Sequence, residues 1–218
     1  MTDRLVPLAA SALVLLSPLV TGCSSGDTPS GPAAATSPAA ALPSSDGDLE
    51  GLLVDAVPSG LPRVPDDELD PPAGEKTIDD VARYGHDAAE QREVLTDYGY
   101  LRGWERFWRA GDQLTSVFLD QFDGPSGAGS YADDLARNDA EYYGGELDRR
   151  PGGLPDGCVL LSVDTPDPAV ELAGPAAFSW CTSGAFTVSV AAVSTSPAGA
   201  RAEVEAVTSE QLERLPAS

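Results

Sequence analysis

Tyr100-Leu101-Arg102-Gly103-Trp104-Glu105-Arg106-Phe107-Trp108-Arg109 decides the fold, because it reads both as helix and as strand. Tyr100, Trp104 and Trp108 recur every four residues, as one face of a helix would. Tyr100, Arg102, Trp104, Arg106 and Trp108 also alternate with Leu101, Gly103, Glu105 and Phe107, as the two faces of a strand would. Gly103 costs a helix interior about 1 kcal/mol relative to Ala. Ala110-Gly111-Asp112 then forms a turn signal ahead of Leu114–Phe122, which is rich in strand formers. We therefore read a β-hairpin, Tyr100–Arg109 with Leu114–Asp123.

Working outward from the hairpin, Thr77 followed by Asp80 forms a capping-box pattern that predicts a helix from Ile78 to Asp97, ended by Gly99. On the other side, Gly124–Gly129 reads as a strand-to-helix loop and Ser130–Tyr143 as a helix stopped by Gly144-Gly145. Cys158–Val163 reads as a strand. Ala176–Cys181 and Ala185–Val193 form a second hairpin across Thr182-Ser183-Gly184, and Arg201–Leu215 reads as a closing helix. The order predicts an α+β domain over 49–218: a largely antiparallel sheet of about five strands with about three helices packed on one face.

The first residues have a different character. Arg4 precedes a short apolar run from Leu5 to Leu19, broken by Pro7 and Pro18, and Leu19-Val20-Thr21-Gly22-Cys23 closes it. The run is shorter and more interrupted than the roughly 20 apolar residues of a membrane-spanning helix. This pattern resembles the lipobox of bacterial lipoproteins. The resemblance implies a signal peptide at 1–22, a diacylglycerol on the Cys23 thiol and acylation of its new amino terminus. The protein would then be held by acyl chains in the cell membrane, on its extracytoplasmic face. Residues 24–48, rich in Ser, Gly, Pro and Ala, have too few large apolar side chains to offset their ordering entropy and predict a flexible linker.

Of three cysteines, Cys158 and Cys181 remain once Cys23 is assigned to the anchor, and an even pair in an exported chain predicts one disulfide. The formal charge of −22 repels phosphate backbones and so argues against nucleic-acid partners. No metal or cofactor is expected: the acidic run Asp66–Asp70 lacks the spacing of a calcium loop, and one His with two distant Cys falls short of a zinc set. The single His86 and the absence of a Gly-x-Ser-x-Gly elbow weigh against a serine hydrolase. Paired carboxylates, Asp120 with Asp123 or Asp133 with Asp134, leave open a cell-wall hydrolase.

Aromatic rings beside guanidinium groups are common at recognition surfaces, which makes Tyr100, Arg102, Trp104, Arg106 and Trp108 a candidate binding surface; Arg stems covering core rings is the alternative. The layout over Leu114–Tyr143 and Gly157–Leu215 resembles exported lipoproteins and sensor domains of actinobacteria with a PsbP-like or LpqN-like fold, and Lys76 as the only Lys agrees with a high-GC origin. The expectation is a non-catalytic module binding a small ligand or an envelope protein, with a carboxylate hydrolase or a structural component of an envelope complex as alternatives.

Overall fold

The computed structural model describes residues 42–216, so the proposed leader, Cys23 and most of the linker lie outside the described residues. The central hairpin is formed by β2 (Tyr100–Ala110) and β3 (Gln113–Phe122), which pair antiparallel from Arg102↔Gln121 to Ala110↔Gln113. The remaining strands are β1 (Gly74–Lys76), β4 (Glu146–Asp148), β5 (Cys158–Val163), β6 (Ala176–Ser183) and β7 (Phe186–Val193). They form one seven-stranded sheet of order β1-β2-β3-β7-β6-β5-β4, antiparallel at every junction.

The sheet is larger than expected because β1 and β4 are three-residue edge strands, Gly-Glu-Lys and Glu-Leu-Asp, with no periodicity of their own. They form because a neighbouring strand presents its edge, a tertiary cause that local sequence does not carry.

Among the described residues five α-helices accompany the sheet: α1 (Asp46–Glu50), α2 (Ile78–Ala82), α3 (Ala88–Asp97), α4 (Pro125–Tyr143) and α5 (Pro197–Glu213). The single helix expected over Ile78–Asp97 is two. Thr77 caps α2 through the predicted box with Asp80, but the chain turns after Ala82, and Asp87 caps α3 by accepting from the amides of Ala89 and Glu90. His86 is exposed in that turn, not on a helix. The Gly124–Gly129 loop is also corrected: Pro125 occupies the first helical position, where its missing N–H costs nothing, and α4 starts there.

The helices cover both faces, not one. α2, α3 and α4 bury one side through Leu95, Phe122, Ala128, Tyr131, Ala136 and Trp180. On the other side α5 and residues 43–57 bury Leu49, Leu53, Trp108, Val117, Val188 and Val204. Every residue from Ala176 to Cys181 is buried, which two-sided coverage requires. Packing begins ahead of the expected Leu49 boundary: the Pro43 carbonyl accepts from Gln121 Nε2 at 3.1 Å, and a capping box from Ser45 to Asp48 starts α1.

Candidate functional site

β2 turns Arg102, Trp104, Arg106 and Trp108 to the face carrying α5. A bulge between Tyr100 and Arg102 sends Tyr100 to the opposite face, where its ring meets Phe122 edge-on at 5.5 Å. The five residues proposed as a binding surface are therefore divided by the sheet. On the α5 face Trp108 is 1% exposed and Arg106 3%, beneath the strap formed by residues 43–57, while Arg102 and Trp104 are half-buried. The strap supplies the counter-charges and the apolar cover that the hairpin alone lacks.

The contacts between strap and face are specific. Arg106 donates to the Val54 carbonyl at 2.7 Å and lies 3.4 Å from Asp55 and 3.5 Å from Glu50. Arg214, at the end of α5, donates to the Leu53 carbonyl at 2.6 Å and pairs with Asp55 at 3.0 Å. Gln211 is fully buried; its amide donates to the Leu52 carbonyl at 2.9 Å and its carbonyl accepts from the Val54 amide at 3.1 Å. Arg102 faces Asp46 at 3.6 Å. Three side chains of the body thus hold the backbone of an irregular segment, and three arginines meet its carboxylates. The match is incomplete, since Arg102 Nε, Trp104 Nε1, Arg106 Nε and Gln121 Oε1 are buried without hydrogen-bond partners.

On the opposite face the sheet buries a cluster that no sequence motif announced. Glu105 receives the Tyr84 hydroxyl at 2.7 Å and pairs with Lys76 Nζ at 3.2 Å, and Lys76 also donates to the Pro72 carbonyl. Asp120 lies against the Tyr100 hydroxyl, which is 3.3 Å from the Lys76 carbonyl. Burial pushes the Asp120 carboxyl up to about 7, and nearby Glu105 adds to the shift. Burial raises Glu105 as well, opposed by Tyr84 and Lys76. The legible signal was the alternation itself, which puts Gly103, Glu105 and Phe107 on one side of β2.

The carboxylate pairs suggested by sequence proximity separate. Asp120 is buried and Asp123 exposed beyond the strand end. Asp134 accepts from Tyr98 and pairs with Arg137, while Asp133 faces Arg149 at 3.5 Å. Cys158 and Cys181 are cross-strand partners of β5 and β6 and form a disulfide in the core. A groove of about 490 Å³ opens between the ends of β5 and α5, lined by Glu146, Ser162, Asp164, Thr165 and Arg201 among others. Among the described residues, no group of three His, Cys, Asp or Glu side chains is placed to hold a metal ion, and no helix is long and apolar enough to cross a membrane.

No protein-family model matches the chain, and no curated protein matches it in sequence. Among solved structures, the extracellular domain of PknH from Mycobacterium tuberculosis aligns at 12% identity and a TM-score of 0.49, over 79% of this chain and 97% of that one.

Proposed function

We propose that the protein is an envelope lipoprotein, anchored by acyl chains on Cys23 to the extracytoplasmic face of the cell membrane, whose body docks a partner without catalysing a reaction. The observation that carries this reading is the pairing of Cys158 with Cys181, which leaves Cys23 as the one cysteine outside a core disulfide. A disulfide between two buried strands suits an oxidising compartment, and the sequence before Cys23 suits lipidation. For the body, the prominent feature is a surface that holds peptide backbone, and of the carboxylates suggested by sequence Asp133 and Asp134 are paired with Arg149 and Arg137.

Mass spectrometry of the N-terminal peptide from native membranes tests the anchor. The expected species begins at Cys23 and carries diacylglycerol, and the Cys23→Ser variant leaves the membrane fraction. Recovery of unlipidated wild-type protein from the medium would overturn the reading. Two acyl-bearing attachments on one residue hold a protein to a bilayer far more firmly than a single chain does.

A further inference from the structure

The strap meets the body as a bound peptide meets its receptor. Gln211, Arg106 and Arg214 grip the main chain of Leu52, Leu53 and Val54, a mode of contact indifferent to the side chains of the segment held. Leu49, in α1, and Leu53, just beyond it, are both buried in the core. Arg102, Arg106 and Arg214 gather positive charge against Asp46, Glu50 and Asp55 in a chain whose formal charge is −22. Asp46 also lies against Glu75, a repulsive contact at the start of the strap. Three buried N–H donors along β2 find no acceptor in the strap, and a buried donor left unpaired is destabilising. The segment is joined to the body through Pro58-Ser59-Gly60-Leu61-Pro62, with Gly60 in a left-handed conformation.

We propose that this face is a peptide-docking groove which the strap fills in cis, and that the occupant which exchanges with it is an acidic, leucine-bearing segment of a partner protein. Such a segment satisfies the same arginines and the same backbone-binding side chains. If it also brings acceptors to Trp104 and the arginine Nε atoms, it outcompetes the strap. The inference rests on the docking role proposed above, but its test is independent of the anchor.

Hydrogen exchange on the wild-type full chain comes first. The Leu53 and Val54 amides are expected to exchange at least 100-fold faster than those of β3, β6 and β7. Exchange of all of them together, at the rate of global unfolding, would overturn the proposal. The second measurement uses a labelled peptide of residues 42–57 against the full-chain Leu49→Ala/Leu53→Ala variant. The peptide is expected to bind the variant at least tenfold more tightly than the wild type, and to lose tenfold when Asp46, Glu50 and Asp55 are replaced by Asn and Gln. A variant that keeps its slow amides in β3, β6 and β7 yet binds no peptide, or binds the neutral one equally, would overturn it. If the variant does not fold, wild-type exchange alone decides. An unlipidated protein that passes both tests would leave the groove standing and remove only the membrane.

Discussion

Asp120 is sealed beneath helices with Glu105 nearby, and the Tyr100 hydroxyl against it favours the carboxylate without outweighing the burial. The Asp120 pKa in the fold, about 7, lies above the ordinary 3.8, so the folded state binds this proton more tightly than the unfolded chain does. The associated stability is complete below 3.8 and is lost as pH rises through 7, at a rate of up to about 1.4 kcal/mol per pH unit. Asp139, raised by burial to about 6, and Glu105 act in the same direction. Asp120→Asn keeps a donor without the charge. Urea midpoints between pH 5 and 8 are expected to fall less steeply for this variant, which should lead the wild type by about 1–3 kcal/mol at pH 8; parallel curves would show that Asp120 is already ionised. Gly103 belongs to the same site, since a Cβ there would strike both the Asp120 carboxylate and the Tyr100 hydroxyl. Gly103→Ala is therefore expected to cost about 1–3 kcal/mol in equilibrium unfolding.

At the scale of elements, the hairpins were legible because their own side chains carry the period that packing needs; the last helix was found but begins earlier than expected, at Pro197 capped by Ser196, and buries Glu203, Thr208 and Gln211 beside its valines. α1 was not legible: Asp-Gly-Asp-Leu-Glu is polar, and only Leu49 among its residues is buried. Its one local signal is the Ser45 to Asp48 capping box, which the linker-like composition around it obscured. The strap over the candidate surface was missed for the same reason. The alternation correctly gathers Arg102, Trp104, Arg106 and Trp108 on one side of β2, but what covers them comes from some fifty residues upstream. Coverage of both faces left a mark in Ala176–Cys181, an unbroken run of buried residues where a half-buried strand alternates. α4 depends on closer approach still. A Cβ at Gly127 would run into the Tyr98 carbonyl, which is backbone and cannot step aside as a flexible side chain would. Gly127→Ala is expected to shift the first turn of α4 away from Tyr98 and to lower stability by about 1–3 kcal/mol. Faster amide exchange confined to residues 126–131 would mark the damage as local.

For the whole molecule, the disulfide joins residues 23 apart in sequence, on strands already paired in the sheet. Its contribution is expected mainly through the unfolded chain, which loses freedom when a loop of that size is closed. Replacing Cys158 and Cys181 together by Ala should lower the unfolding free energy by about 3 kcal/mol while keeping the far-ultraviolet circular dichroism spectrum. A variant as stable as the wild type would mean the crosslink is absent from the purified protein. The fold class was readable at this scale because two tight hairpins, β2–β3 and β6–β7, form the centre of the sheet, whereas the β3–β7 pairing that joins them spans the chain and left no local sign. The partners of Glu105 and of Arg106 were not, because Tyr84, Lys76, Glu50 and Asp55 reach them across the tertiary structure.

A sheet of this breadth has two rims, and the chain finishes each with a strand of three residues, β1 and β4. Unpaired backbone at a rim is an invitation for a second molecule to zip on, and these rims offer little length to grip. Glu75 at one, with Glu146 and Asp148 at the other, adds mutual repulsion between like edges. Crowded copies are thereby kept from growing into ribbons.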